Sequence, residues 1–466
     1  MATQTPDFQQ ARRRMMLEAP IHRVIPQMAL PTIVAFLINS VYSLADTYFV
    51  SSLGTNATAA VSVNASLDQL IMMCGSMLAV GASSYISRLL GQGKEHKASQ
   101  VLSTAFFSSL VLGGILMAAG TIWMDEMVDL LGATPTCHQY AVDYATYVLL
   151  AAPFMACNFV TNQCLRSEGS AMLSMVGMGF GGVLNCVLDP VFIFNLEMGV
   201  AGASLATAIS KLVSFAILMY PYLTRRSLLR LSVRLFCLSR DIVVEIITVG
   251  SSSMVRFGLA VVSAIWLNEL AGNISDSVLA AIGVTSKLMM FPFSIILGFG
   301  NGFQPVVGFN WGAQCYDRVR SSYRFSAWTA LIGSAMMAAL LALFAPQIIL
   351  AFADADPEME ELGVLCIRLQ CLTLPIHAWV AVVSMLCTGL GNAGSAMVLA
   401  TARQGSCFLP ILYPMAVLFG VYGMVSVQAV ADVISLVLAI PIAISMARKI
   451  HRAQEMAWSN GPASAA

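Results

Sequence analysis

The sequence predicts an all-helical membrane protein of twelve transmembrane helices, built as two parallel repeats of six. Apolar runs long enough to cross a bilayer follow one another along the chain, and the pattern repeats at a nearly constant offset. Of the 466 residues, 58% are hydrophobic and 10% are charged, whereas a soluble domain carries roughly 25% charged residues. A soluble fold is therefore excluded.

Each predicted helix is an apolar run of the length that a bilayer-crossing helix needs, about 20 residues or more. Polar or glycine-rich breaks separate the runs. The predicted spans are 24–50, 57–89, 98–124, 138–163, 170–194, 199–223, 242–270, 277–308, 322–353, 362–389, 396–419 and 422–447.

Basic residues predict the orientation. All but five of the 24 Lys and Arg side chains fall on the side of the N-terminus, whereas the opposite connections "MDEMVDL" and "DADPEMEE" are acidic. Because positive residues mark cytoplasmic loops, we expect both termini in the cytoplasm and the chain in the cell inner membrane. The first apolar run is too long for a signal peptide. This distribution of charge concerns topology and does not indicate a nucleic-acid partner.

The chain repeats itself. An offset of 221 residues aligns the second and eighth helices without a gap, so that Gly81 meets Gly302, and "GSAM" recurs at 169–172 and 394–397. Parallel repeats in transporters hold a substrate cavity between them. We predict an N-terminal segment 1–23, an N-terminal lobe 24–223, a partly amphipathic cytoplasmic linker 224–241, a C-terminal lobe 242–447 and a tail 448–466.

Two carboxylates within apolar spans are the candidate functional groups. A charge at mid-membrane costs about 2.5–3.5 kcal/mol, so Asp46 and Asp189 indicate function. Asn185 shares a helix face with Asp189, Tyr42 shares one with Asp46, and Thr207 is predicted at similar depth. Oxygen ligands of this kind could bind Na⁺ or hold a proton. The alternative is a polar network that only pins the helices together.

Four further charges lie near the middle of predicted spans. They are Asp68, Arg256, Lys287 and Asp432, and we expect them to neutralise one another, a structural role. The eleven cysteines show no paired spacing, and only Cys137 looks exposed. A disulfide framework is not expected.

Several motifs resemble the multidrug and toxic compound extrusion (MATE) family of antiporters, and its prokaryotic DinF-like or MepA-like branch in particular. They are "ALPTIVAFLINSVYSLADTYFVSSLGT", "ISRLLGQGK", "LRSEGSAM", "NCVLDPVFIF" and "GFQPVVGFNWGA". The resemblance implies two six-helix lobes around a central V-shaped cleft. It also implies export of organic, often cationic, compounds in exchange for H⁺ or Na⁺ by alternating access.

The resemblance also implies site residues. It places a cation site in the N-terminal lobe at Tyr42, Asp46, Asn185, Asp189 and Thr207. It further implies that the first helix bends at Pro31 and Pro26. Other branches carry an acid in the seventh helix, where this chain offers only Arg256 at mid-span, so a cation site in the C-terminal lobe is not expected.

The alternative function is a lipid-linked oligosaccharide flippase of the same superfamily. Such flippases often have extra helices and a strongly cationic cleft, whereas this chain predicts twelve helices and few buried cations. An enzyme is not expected, because no HExxH, GxSxG or nucleotide-binding loop occurs. A channel suits two repeated lobes less well.

We expect a monomer that uses no cofactor other than the coupling ion, with small organic molecules and the bilayer as its partners.

Overall fold

The computed structural model describes residues 5–272, 275–350 and 357–459. Over these residues the chain is helical, with two π-helical turns at Val191–Asn195 and Ala402–Ser406 and a 3₁₀ turn at Val233–Leu235. The α-helices are α1 (Thr5–Leu17), α2 (Ile21–Ser51), α3 (Thr55–Gly91), α4 (Glu95–Ile122), α5 (Met124–Leu130), α6 (His138–Ser167), α7 (Ala171–Pro190), α8 (Gly199–Leu223), α9 (Arg240–Gly272), α10 (Asp276–Gly312), α11 (Tyr316–Leu350), α12 (Pro357–Gly389), α13 (Ala393–Thr401) and α14 (Phe408–Ser459).

The described helices cross the membrane twelve times. Eleven stretches are long and apolar enough to span a bilayer, and the last of them, Ala393–Ala457, has 65 residues. A straight helix of that length would measure about 100 Å, roughly three times the thickness of the hydrocarbon core. Gly420 breaks it with a φ of 55° and a ψ of −131°, so α14 contains a reversal and the stretch supplies two crossings.

The helices face lipid or protein according to their position. α11 leaves large apolar side chains exposed, among them Trp328, Met336 and Leu343, which is where a lipid-facing helix places them. α6 is instead buried along most of its length. The predicted spans agree with the observed helices, except that residues 351–353 of the ninth span lie outside the described residues.

Backbone turns confirm the repeat. Positive φ angles occur at Gly93 (74°) and Gln314 (60°), and again at Gly199 (57°) and Gly420 (55°). Both pairs are separated by the offset of 221 residues read from the sequence. Since positive φ is costly for residues other than glycine, the same turn is built twice even where the second copy has glutamine.

The hydrophobic core divides into three clusters. One cluster combines residues of both lobes, including Leu89 and Phe309, at the end of the molecule that carries the basic connections. The other two clusters lie in one lobe each, towards α5 and the start of α12. We call these two ends the basic face and the acidic face. The lobes are joined at the basic face and part towards the acidic face, which gives the V-shaped cleft.

Glycines let the two lobes touch backbone to backbone at the basic face. Gly81 of α3 lies against the carbonyl of Ile246 in α9, and its repeat partner Gly302 of α10 lies against Ala29 in α2. A Cβ atom at either glycine would overlap the opposite backbone. An ion pair between Arg88 and Glu245 adds a charged contact between α3 and α9.

The N-terminal helix α1 spans the junction of the lobes. Asn310 Nδ2 donates to the carbonyl of Met16 (3.2 Å), and Arg318 Nη2 donates to the carbonyl of Ala19 (2.8 Å). Arg12 of α1 interacts electrostatically with Glu168 in the N-terminal lobe. The sequence did not predict α1, because this segment is polar and basic.

Two other local features differ from the sequence-based expectations. The linker predicted to be partly amphipathic is mostly irregular, with one 3₁₀ turn. Cys137 was expected to be exposed but is 1% exposed. The loop before α6 folds over it, and Thr134 donates to its Sγ through both its backbone N–H and its hydroxyl (3.3 Å each).

The glycine contacts predict that a Gly→Ala substitution lowers stability only where the glycine lies against the opposite lobe. Gly81→Ala should lower the stability of the purified protein by about 1–3 kcal/mol, because overpacking forces the lobes apart. Gly283→Ala, which meets no atom within 4 Å, should be neutral or slightly stabilising, since alanine is the better helix former. Thermal unfolding in detergent measures both. Equal unfolding temperatures for the two variants would contradict the close approach.

Candidate functional site

A cluster of polar side chains lies where α7 and α8 pack together in the N-terminal lobe. Asn185 Nδ2 donates to Asp189 Oδ1 (3.3 Å) and to Thr207 Oγ1 (3.1 Å). All three residues are buried. The structure therefore brings together three residues that the sequence predicted as a site.

Asp46 belongs to the same site from the neighbouring helix α2. Its carboxylate interacts electrostatically with those of Asp189 and Asp68. Asp46 Oδ1, Asn185 Oδ1 and Asp189 Oδ2 are buried and have no hydrogen-bond partner among the described residues. All are acceptors, and an unsatisfied buried polar group costs about 1–3 kcal/mol. A proton or a cation would satisfy them. We call these residues, with Thr207, the acid site.

Tyr42 pairs with a lysine that the sequence analysis did not assign to the site. Lys211 Nζ donates to Tyr42 Oη (3.0 Å) and lies 4.9 Å from the centroid of its ring. Lys211 lies one helical turn beyond Thr207 on α8. The spacing of four residues places both on one helix face, and this signal could have identified it.

Asp68 and Tyr144 complete the surroundings of the acid site. Tyr144 of α6 is buried and interacts electrostatically with Tyr42 and with the carboxylates of Asp46, Asp68 and Asp189. Asp68 Oδ1 is also buried without a hydrogen-bond partner among the described residues. Asp68 is therefore a neighbour of the acid site.

The backbone beside Asp189 is irregular. α7 ends at Pro190 and continues into the π-helical turn Val191–Asn195. Pro190 has no N–H, so the carbonyl of Cys186 loses its intrahelical donor and is left as a further acceptor. π-helical turns frequently occur at functional sites.

The two prolines predicted as bending points lie inside α2. The helix is continuous from Ile21 to Ser51 and contains both Pro26 and Pro31. The stretch around Pro31 packs against α10, where Gly298 meets Ile33 and Gly302 meets Ala29. A bend at these prolines stays a prediction.

A central cavity of about 460 Å³ lies between the lobes and borders the acid site. Tyr42 and Thr207 are in its lining, whereas Asp46, Asn185 and Asp189 lie behind it. Such a volume suits a drug-sized organic molecule. Much of the lining is apolar and adaptable, with Phe36, Met72, Met155, Phe159, Met178 and Met290 among its residues.

The cavity lining contains charged side chains from both lobes. Three basic side chains, Arg166, Lys211 and Arg256, line the cavity, and Asp68 is the acidic residue of the lining. Arg166 was missed because α6 extends to Ser167, beyond the predicted end of that span. The lining is more basic than acidic.

The four mid-span charges do not form the predicted network. Asp432 pairs with Arg403 in its own lobe, with 2.8 Å between Oδ1 and Nε, and also accepts from Thr373 Oγ1 (3.2 Å). Lys287 is exposed, and Arg256 donates to Ser253 Oγ (3.4 Å). The prediction was wrong because Arg403, in the π-helical turn Ala402–Ser406, supplies the charge that neutralises Asp432.

A second buried acid lies at the basic face, outside the transmembrane helices. Glu168 is fully buried and accepts hydrogen bonds from Tyr222 Oη (3.1 Å), the backbone N–H of Leu228 (2.8 Å) and Ser227 Oγ. Burial raises the pKa of Glu168 to about 7, against the lowering effect of these donors and of Arg12. Glu168 thus ties the α6–α7 connection to the segment after α8.

The fold and the cavity define the class of this protein, an integral membrane protein of two repeated six-helix lobes with a cavity between them. The chain belongs to the MatE family, whose model matches residues 31–191 and again residues 253–414. One match falls in each lobe. Members of this family are transporters, which confirms that the chain is not an enzyme.

Known proteins resemble this chain over nearly its whole length. The multidrug export protein MepA of Staphylococcus haemolyticus is 26% identical over 441 residues, 93% of this chain and 95% of the relative. An outward-facing multidrug resistance MATE family transporter of the MOP superfamily superposes with a TM-score of 0.88 at 24% identity, covering 95% of this chain and 98% of that one. These likenesses confirm the predicted fold class.

One structural neighbour differs in its binding pocket. A MOP superfamily transporter from Pyrococcus furiosus, with a TM-score of 0.87 and 25% identity, covers 95% of this chain and 98% of that one. Its pocket is described as having reversed polarity, which suggests a different function for that protein. The fold thus accommodates cavities of different charge.

Glu168 predicts a pH dependence of stability. Its folded-state pKa of about 7 lies above the ordinary value of 4.5, so the folded state binds the proton more tightly than the unfolded state. Stability should therefore fall as the pH rises from about 4.5 to 7, by up to about 3 kcal/mol.

Glu168→Gln should remove this part of the pH dependence, and the exposed Glu18→Gln serves as its control. Unfolding temperatures of the purified proteins between pH 4.5 and pH 7 measure the effect. A wild-type slope that persists in Glu168→Gln would contradict the assignment.

Proposed function

We propose that this protein exports small organic molecules by alternating access in exchange for H⁺ or Na⁺. The observation that carries the proposal is a set of acceptor oxygens on Asp46, Asn185 and Asp189 that have no hydrogen-bond partner in the described part of the chain and lie behind the wall of the central cavity. A site that needs a proton or cation, beside a cavity that suits an organic molecule, can link the movement of the two. Intramembrane acids of this kind commonly serve ion or proton pathways.

The relatives support export as the direction of transport. The protein of Staphylococcus haemolyticus that matches 93% of this chain is a multidrug export protein. The methionine and phenylalanine side chains of the cavity supply an adaptable apolar surface, which suits substrates of varied shape. We therefore assign the cavity to the exported compound.

The coupling ion would bind at the acid site as cargo. Na⁺ would use oxygen ligands from Asp46, Asn185, Asp189 and Thr207, whereas H⁺ would be held on one of the two carboxylates. The described residues contain no group of three or more His, Cys, Asp or Glu side chains placed to hold a metal. A Na⁺ site here would therefore also need the amide oxygen of Asn185 and the hydroxyl oxygen of Thr207 as ligands.

Neutralisation of the acid site would drive the change of access. Asp46 on α2 and Asp189 on α7 interact electrostatically, and a cation between them would draw these helices together. In this proposal α2 then bends at Pro31, with Pro26 as a second point of flexure, and the cleft closes. The membrane potential would contribute roughly 2.3 kcal/mol per net charge moved through 100 mV.

In this proposal the chain acts as a monomer in the cell inner membrane, with both termini and the basic face in the cytoplasm. The charge asymmetry of the sequence supports this orientation. The cleft would then open outward. Closing it would separate Gly81 from Ile246 and break the Arg88–Glu245 ion pair, so that the cavity opens to the cytoplasm.

Removal of either carboxylate should uncouple transport. Asp46→Asn and Asp189→Asn should each lower gradient-driven dye transport into inverted membrane vesicles at least about tenfold, because Asn keeps the volume and cannot take up a proton or the full charge of a cation. Expression should stay close to normal. Comparing a pH gradient with a Na⁺ gradient identifies the coupling ion.

Asp143→Asn is the matched control, because Asp143 lies near the acidic-face end of α6 and accepts from Gln139 (3.0 Å). It should transport like the wild type. Normal coupled transport by both Asp46→Asn and Asp189→Asn would reduce the acid site to a structural network.

The proposed orientation predicts which face reacts with reagents outside the cell. A cysteine introduced at the exposed position Glu126 in α5 should react with a membrane-impermeant maleimide in intact cells, above the wild-type background. A cysteine at the exposed position Lys94, on the basic face, should react only after the cells are opened. The reverse pattern would overturn the orientation.

A further inference from the structure

The part of the central cavity nearest the basic face is rich in hydrogen-bond donors. We call it the floor, and it consists of Gln163, Arg166, Asn301 and Gln304, all in the cavity lining. Arg166 is 3% exposed and Gln304 is 2% exposed. Arg166 Nη1 and Gln304 Nε2 have no hydrogen-bond partner among the described residues.

Hydrogen bonds fix the floor between the two lobes. Arg166 Nε and Nη2 both donate to Gln163 Oε1 (3.0 and 2.6 Å), and Gln163 Nε2 donates to Asn301 Oδ1 (3.1 Å). Gln304 lies one helical turn from Asn301 on α10. These hydrogen bonds orient the guanidinium of Arg166 and leave Nη1 without a partner among the described residues.

The charge of Arg166 is not compensated within the described part of the chain. No ion pair of Arg166 or Arg256 occurs there. Glu168 is two residues from Arg166, but its carboxylate accepts from Tyr222, Ser227 and Leu228 at the basic face. A buried cation without a counter-ion is costly, so an arriving anion would be stabilised at the floor.

The acid site and the floor belong to different parts of the cavity wall. Asp68, the acid of the lining, interacts electrostatically with Lys211, which offsets its charge. Arg166 and Arg256 remain as charges of the lining that have no ion pair within the described ranges. A substrate anion would therefore meet net positive charge, while the coupling cation would bind behind the wall at Asp46 and Asp189.

We propose that the floor binds an anionic group of the substrate, a carboxylate, sulfonate or phosphate. Arg166 Nη1 and Gln304 Nε2 donate to its oxygens, and charge-assisted hydrogen bonds of this kind are among the stronger ones. Arg256 adds positive charge from α9, and the apolar lining holds the rest of the molecule. The inference rests on the proposed export function and gives its substrate class: amphipathic organic anions and zwitterions, in place of organic cations.

Two dyes that differ by one carboxylate test the proposal. Rhodamine B carries a free carboxylate, and its ethyl ester has the same ring system without that charge. Binding of each dye to the purified full-length protein is measured by fluorescence anisotropy. The wild type should bind rhodamine B about tenfold more tightly than the ester, the ratio that corresponds to about 1.4 kcal/mol.

Variants of the floor locate the effect. Arg166→Gln should weaken the binding of rhodamine B and leave the ester unchanged, so that the preference is lost. Gln304→Leu, which removes a donor without removing a charge, should reduce the preference and serves also if Arg166→Gln does not fold. Arg368→Gln, at an exposed basic residue outside the cavity lining, should keep the wild-type preference.

Equal affinities, a preference for the ester, no binding of rhodamine B, or an equal loss for both dyes in both floor variants would overturn the anion site. Dye transport into energised inverted vesicles separates this outcome from a failure of the export function. Transport of the ester without any preference for rhodamine B would leave export standing and overturn the anion site. A preference for rhodamine B in binding, without transport of either dye, would leave the anion site standing and overturn the export function.

Discussion

The carboxylates of Asp46 and Asp189 lie within the membrane, and one oxygen of each has no hydrogen-bond partner among the described residues; this is the constraint on which the protein depends. Water cannot compensate such groups in the bilayer core, and the two acids repel each other when both are charged. α2, α7 and α8 nevertheless pack so that Asp189 accepts from Asn185, which also donates to Thr207, while Asp46 interacts electrostatically with Asp189. In the proposed mechanism, a proton or a cation satisfies these acceptor oxygens.

The two lobes share one repeated backbone structure but differ in their buried charges. The repeat keeps the positive-φ turns at Gly199 and Gly420 and the close contacts of Gly81 and Gly302. Inside the lobes, however, the charges differ, because Asp432 is neutralised by Arg403. Among the described residues, the N-terminal lobe thus keeps acid oxygens without a hydrogen-bond partner at Asp46 and Asp189, whereas Asp432 of the C-terminal lobe is paired. In the proposed mechanism, movement of one lobe against the other needs only one cation site.

The sequence predicted most of the fold and part of the site. Long apolar runs determine the helices so strongly that the observed ends lie close to the predicted ones. The helical spacing of Asn185 and Asp189 was enough to place them together. Contacts between distant helices could not be predicted in this way: Arg403 reaches Asp432 from a π-helical turn, and Arg166 enters the cavity lining because α6 continues past the predicted span. The sequence of one helix does not indicate which other helix it will pack against.

The number of cations released when a dye binds tests the central role of the acid site most directly. A dye that the protein transports is added to purified protein in weakly buffered solution, and released H⁺ and radioactive Na⁺ are counted. If substrate and cation favour opposite states, linkage requires that the dye displace about one cation per protein molecule, and Asp189→Asn should release none. Dye binding of equal affinity in both proteins, without release of either ion, would contradict the account.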